Sequence, residues 1–247
     1  MTISIDQLTY RDVAKTIDHS LLRPELDDAF VLEGCRLAAE YDVASVCVRP
    51  DDVVRAAGIL AATDVAVGTT IGFPHGNHLT ETKVFEARRA LTDGATELDM
   101  AIQIGALKSG RDADVRADIA AVVEVAHHAG AIVKVIFENA YLTDDEKVRA
   151  CLLTAAAGGD FVKTSTGFAP SGATHDDLRL MRANTPAHIG VKAAGGVRTL
   201  DALLEVMALG VTRVGATATK TILDDFTARA DGRAPANAGS ASTDGSY

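Results

Sequence analysis

Short runs rich in β-branched residues return eight times along this chain, each joined to the next by a longer, Ala/Leu-rich amphipathic stretch. That alternation leaves few folds open, because parallel strands need a crossover of helical length between them and the crossing helices must cover the sheet. The candidate strands are residues 15–20, 44–48, 66–71, 97–102, 132–137, 161–165, 189–193 and 213–216. Eight units without a long interruption predict a closed (β/α)8 TIM barrel, since closure removes apolar edge strands; an open doubly wound sheet is the alternative. Helix punctuation agrees with the spacing. Thr80 opens one helix, Thr143 with Glu146 forms a capping box, and Thr199 precedes a Leu-rich run. Gly94, Gly130, Gly158 and Gly210 each stand where a helix should stop.

The barrel is predicted to occupy residues 1–227. Residues 228–247 are rich in Ala, Gly, Ser and Asp and poor in large apolar side chains, the composition of a flexible C-terminal tail, although its last residue, Tyr247, could reach the barrel mouth. A hydrophobic fraction of 47% suits one domain with a large core. With 24 basic against 34 acidic residues the formal charge is -10, which disfavours nucleic acid or an anionic membrane as partner. Three widely spaced cysteines, Cys35, Cys47 and Cys151, fit a reducing cytoplasm better than a disulfide framework, and no leader or spanning segment is expected.

Lysine is scarce, eight against sixteen arginines, yet Lys134, Lys163 and Lys192 stand inside apolar strand runs. An ammonium taken out of water pairs with a carboxylate or gives up its proton, and a lysine so situated is the usual imine-forming nucleophile. Alternation along a strand puts Phe161, Lys163 and Ser165 on one face, Gly190, Lys192 and Ala194 on another, and Glu97, Asp99 and Ala101 on a third. If these faces converge at the C-terminal mouth, Lys192 lies beside Lys163 and Asp99 serves both as proton acceptor. A buried salt-bridged network with no chemistry explains the same placement. The Gly195-Gly196 pair after the seventh strand and Gly215-Ala216-Thr217 after the eighth occupy the loops where barrels commonly hold a phosphate, although a Gly-Gly turn needs no ligand to explain it. His75 and His78, with His19 and Asp18, could be assembled into a metal site, but their loop spacing offers no familiar third ligand. Cys47, at a strand end, reads as a packing cysteine before a reactive one.

Several of these segments together resemble the 2-deoxyribose-5-phosphate aldolase family from Ile17 to about Leu223: Ile17-Asp18-His19-Ser20-Leu21-Leu22, Ser45-Val46-Cys47-Val48, Gly72-Phe73-Pro74-His75-Gly76, Glu97-Leu98-Asp99-Met100, Lys134-Val135-Ile136, Phe161-Val162-Lys163-Thr164-Ser165-Thr166-Gly167-Phe168 and Val191-Lys192-Ala193-Ala194-Gly195-Gly196-Val197-Arg198-Thr199. The resemblance implies a class I aldolase that needs no metal or cofactor. It would cleave 2-deoxy-D-ribose 5-phosphate reversibly to acetaldehyde and D-glyceraldehyde 3-phosphate. It assigns Lys163 as the Schiff-base lysine, Lys192 as its tuning neighbour and Asp99 as acid/base partner, with Tyr247 resembling a terminal tyrosine proposed to assist proton transfer. Gly195, Gly196 and Thr217 fall on phosphate-binding positions, with Arg198 and Thr166 as further substrate contacts, and a homodimer is compatible with the family. One departure is plain: Gly215-Ala216-Thr217-Ala218 stands where the family usually has Gly-Ala-Ser-Ser. The alternatives are a related lysine aldolase acting on another or a non-phosphorylated aldehyde, and a barrel that binds a phosphorylated ligand without catalysis.

Overall fold

The computed structural model describes residues 3–233. Eight parallel strands close in sequence order, β1 (Ile17–Leu21), β2 (Ser45–Val48), β3 (Ala66–Ile71), β4 (Glu97–Ala101), β5 (Ile132–Ile136), β6 (Phe161–Lys163), β7 (Gly190–Ala194) and β8 (Arg213–Ala216), with β8 pairing back to β1. The predicted closed barrel is therefore the fold, and the open sheet is not. Strand positions agree with expectation to within a few residues. β1 starts at Ile17 and not at residue 15, because Lys15 caps the helix Tyr10–Ala14 and its ammonium is held by Asp42 at 2.6 Å. β6 stops at Lys163, two residues short of expectation, where the chain turns into the mouth.

The strand sequences explain how the barrel is filled. Paired residues on parallel neighbours share a face, so the register Asp18↔Ser45, Cys47↔Gly68, Gly68↔Glu97, Asp99↔Lys134, Lys163↔Lys192 and Lys192↔Arg213 traces one inward-facing set around the cylinder. Alternate positions, among them Val46, Val67, Leu98, Val133, Val135, Val162, Val191 and Val214, face outward and are buried under the helices. The apolar core is thus a sleeve between sheet and helices, while the lumen is polar. Small residues make room in it: Gly68 and Gly190 face inward, and a Cβ on Gly190 would strike the Phe161 ring at 2.2 Å.

The helical caps follow the sequence signals. Thr143 and Glu146 form the reciprocal capping box, and the Thr199 side chain accepts from Ala202 N. Gly94, Gly130, Gly158 and Gly210 all have positive φ. A deeper anchor lies behind β4. Lys83, from the helix Thr80–Thr92, is fully buried and donates to the Ala101 carbonyl at 2.9 Å and to Asp118 at 2.6 Å, which fixes the strand end that carries Asp99. The last helix, Thr219–Ala230, runs past residue 227 and buries Ala228, so the expected boundary of the tail falls within a helix.

His19 lies on the outer face of β1, buried, with Nδ1 against Thr219 Oγ1 at 2.8 Å. Burial pulls its pKa from 6.5 down to about 4. Between those values the unfolded chain binds more protons than the folded one, so stability rises with pH across the window and is lost as pH falls through it. The expected loss attributable to His19 between pH 7 and pH 4 is about 3 kcal/mol. Urea unfolding at the two pH values should show a shallower acid loss in His19→Gln than in the parent; equal losses would contradict the assignment.

Candidate active site

The inward set converges on one ion-pair network. Asp99, fully buried, accepts from Lys163 Nζ and Lys192 Nζ, each at 2.7 Å and on the same carboxylate oxygen, and its other oxygen lies 3.1 Å from Lys134 Nζ. Lys192 also meets Asp18 at 2.5 Å, and Lys134 meets Asp18 at 3.0 Å and Glu97 at 2.5 Å. Arg213 closes the network from β8, with Asp18 at 2.5 Å and Glu97 at 2.9 Å. Seven groups are so linked, four cationic and three anionic. Lys163 is set apart in this group. It stands at the end of its strand and pairs within the network with Asp99 alone.

The carboxylates are held in their charged form by this geometry. Burial opposes the charge of Asp99, but Lys134, Lys163 and Lys192 together hold its carboxyl well below the usual carboxylate range. Asp18 is likewise desolvated and likewise held low by Lys134, Lys192 and Arg213. Burial works against the Lys134 ammonium too, yet Asp18, Asp99 and Glu97 keep its pKa well above normal. Cys47 faces the same lumen, and burial together with the Asp99 charge pushes its thiol up to about 11, the condition of an unreactive thiol.

Above this layer, at the C-terminal ends of the strands, Ser20, Gly195, Gly196, Arg198, Gly215 and Thr217 line one small cleft. Gly195 and Gly196 both have positive φ, 82° and 99°, which turns the chain sharply after β7. The helix Thr219–Ala230 starts beside Thr217 with Ala218 at its N-cap and no side-chain cap, so its first N–H groups are left to other acceptors. On the opposite side of Lys163, Thr166 is buried and its backbone N–H and hydroxyl both donate to Glu138, the hydroxyl at very short range.

Residues 13–227 match the DeoC/LacD family aldolase, most of the chain. The chain belongs to that family. Over 216 residues this aldolase is 50% identical to the deoxyribose-phosphate aldolase of Rhodopirellula baltica, covering 87% of this chain and 90% of that one. It is 51% identical over 206 residues to the deoxyribose-phosphate aldolase of Thermococcus gammatolerans, covering 83% and 92%. Its fold is similar to that of a tetrameric deoxyribose phosphate aldolase from Aeropyrum pernix, with a TM-score of 0.84, 30% identity and coverage of 91% and 95%.

In this DeoC-family aldolase the sequence-derived residues sort clearly. Lys163, Lys192 and Asp99 meet, and Gly195, Gly196, Arg198 and Thr217 gather in the neighbouring cleft. Tyr247 lies outside the described residues. His75 and His78 are exposed in their loop whereas His19 faces the helix layer, and among the described residues no three His, Cys, Asp or Glu side chains are grouped as a metal ion would require. Sequence reasoning gave no site role to Glu97, Arg213, Ser20 or Glu138, and it weighed Asp18 only as a metal ligand. For Asp18, Ser20 and Arg213 the two-residue alternation along β1 and β8 was the available signal. Glu138 carried none, since its backbone adopts φ 58°, ψ 65°, which an acidic residue after a strand does not announce.

Proposed function

We propose that this chain is a class I deoxyribose-phosphate aldolase, cleaving 2-deoxy-D-ribose 5-phosphate to acetaldehyde and D-glyceraldehyde 3-phosphate through an imine on Lys163. The observation that carries this reading is the pair of lysine ammonium groups sharing one oxygen of buried Asp99, in a member of an aldolase family. Lys163 is the lysine that stands at the end of its strand, toward the open mouth. It is also the lysine whose loss of charge leaves the fewest ion pairs broken.

In the synthetic direction neutral Lys163 Nζ adds to the acetaldehyde carbonyl carbon, and the oxygen takes a proton. The carbinolamine then loses water to give an iminium, and its positive nitrogen accepts the electron pair left when a proton departs from the methyl carbon. The enamine carbon attacks the acceptor carbonyl, whose oxygen takes a proton to become a hydroxyl, and water releases the product and restores the amine. Asp99, in contact with both Lys163 and Lys192, takes the proton that Lys163 gives up and returns it to the substrate oxygen that leaves as water. Lys192, also braced by Asp18, remains the fixed positive charge beside the reacting nitrogen.

The acceptor's phosphate is assigned to the cleft of Gly195, Gly196, Arg198 and Thr217, where backbone N–H groups and a helix N-terminus can meet an anion. Thr166, three residues past Lys163, is assigned to the sugar end. Action without metal or organic cofactor, and a cytoplasmic setting, belong to the same reading; amine chemistry supports the first, and three buried free cysteines support the second. Among the described residues no helix is long and apolar enough to cross a membrane. Association with copies of itself is supported by the tetrameric relative.

Borohydride reduction with acetaldehyde, followed by peptide mass mapping, should place one reduced two-carbon adduct on Lys163; its absence there would remove the imine mechanism. A second reading is favoured by one observation, Thr217-Ala218 in place of two serines at the phosphate loop. Turnover of phosphorylated and plain deoxyribose separates the two. Since one charge-assisted hydrogen bond accounts for about tenfold or more in binding, kcat/KM is expected to favour the phosphate ester by at least that factor. Equal values would assign the enzyme to a non-phosphorylated sugar.

A further inference from the structure

Glu138 stands immediately beyond β5 with a left-handed backbone, φ 58° and ψ 65°, a conformation that a side chain bearing Cβ adopts only when its surroundings compel it. The compelling contacts are on both sides of it. Phe137 N donates to Lys163 O at 3.0 Å and Asn139 N to Thr164 O at 2.9 Å, so the chain on either side of Glu138 is stitched to the segment that carries Lys163. Between these stitches the side chain, buried to 3% exposure, turns to Thr166. Its oxygens accept the Thr166 backbone N–H at 3.2 and 3.3 Å and also the Thr166 hydroxyl.

The consequence lies in the direction of that last bond. A hydroxyl owns one proton and two lone pairs. The proton of Thr166 Oγ1 is committed to the Glu138 carboxylate, and one lone pair accepts Phe168 N at 3.0 Å. What remains is a single acceptor site on an oxygen whose rotor is locked at both ends. A substrate hydroxyl could meet it only as a donor.

We propose that Glu138 is a positioning residue that makes Thr166 an obligate acceptor for the hydroxyl of a hydroxyaldehyde substrate. This rests on the aldolase reading above. The carboxylate itself touches no reacting atom; it acts through Thr166, and it selects acceptor aldehydes that carry a hydroxyl next to the carbonyl over those that do not. Without it, Thr166 can rotate, donate as well as accept, and distinguish the two poorly.

The test compares D-glyceraldehyde 3-phosphate with 3-oxopropyl phosphate, which lacks that hydroxyl, as acceptors for acetaldehyde. Glu138→Gly is the informative variant, because glycine adopts the left-handed backbone freely, so the side chain is removed without adding backbone strain. The parent is expected to prefer the hydroxylated acceptor in kcat/KM by roughly tenfold or more, the weight of one buried hydrogen bond. In Glu138→Gly that ratio should fall to near one while borohydride still traps acetaldehyde on Lys163. Glu138→Gln, which keeps one acceptor oxygen, should restore most of the ratio. Thr166→Val, which keeps the shape, should abolish the ratio as fully as Glu138→Gly, and it decides the matter if the glycine variant does not fold. A ratio unchanged from the parent in either Glu138→Gly or Thr166→Val would overturn the proposal, as would a parent that shows no preference. Failure of the parent itself to trap acetaldehyde would instead count against the aldolase reading on which the proposal stands.

Discussion

Lys163→Met is expected to form no reducible adduct with acetaldehyde and to lose retro-aldol turnover by roughly ten-thousandfold or more, the scale seen when a covalent nucleophile is removed. The same substitution should leave the fold intact, with no more than about 1 kcal/mol lost. It breaks a single ion pair of the network, that with Asp99, which Lys134 and Lys192 still contact, and an uncharged side chain of similar length fills its place. Turnover and adduct formation would be read by coupled assay and mass spectrometry, stability by denaturant titration. Retained turnover in a folded Lys163→Met would overturn the catalytic assignment, and a severe loss of stability would mean that the Lys163–Asp99 pair holds the lumen together.

The second large effect has the opposite signature. Asp99→Asn removes the one carboxylate that contacts Lys134, Lys163 and Lys192, and a carboxamide presents N–H donors where ammonium donors already stand. Stranding buried cations in this way costs about 3–5 kcal/mol, which for a domain of this size lowers Tm by about 10 °C. Turnover should fall as well, by roughly 100- to 10,000-fold, since the proton acceptor between the two lysines is gone. Thermal scans and initial rates measured together separate the two consequences. A variant within a degree or two of the parent Tm would mean that the three ammonium groups find compensation elsewhere.

Such contrasting outcomes would separate a reactive lumen from one that serves only as structural filling. Lys163 sits at the open end, next to the cleft of Gly195, Gly196 and Thr217 and to the Glu138–Thr166 pair. The ion pairs among Lys134, Arg213, Asp18 and Glu97 close the network below it.

Much of this was legible along the chain. Three lysines inside apolar strand runs, with Glu97 and Asp99 together on one face of a fourth strand, pointed to a polar inner wall before any contact was known. Helix ends were legible for a local reason: Thr143, Thr199 and the glycines after each helix act on amides within a few residues of themselves. Arg213 and Asp18 were harder, since a charged residue at a strand start usually reads as solvent-facing, and only ring closure carries these two inside. Glu138 was not legible at all, because what it does depends on a segment 28 residues later.

Local sequence determined the period of each element, hence which residues face inward, and so the chemical character of the lumen. Tertiary structure alone decided which carboxylate meets which ammonium. Asp99 contacts partners 64 and 93 positions away, and their relative height depends on the stagger between neighbouring strands around a closed ring. Alternation along a strand specifies a face but not a level, and it is their shared level that brings Lys163, Lys192 and Asp99 into contact.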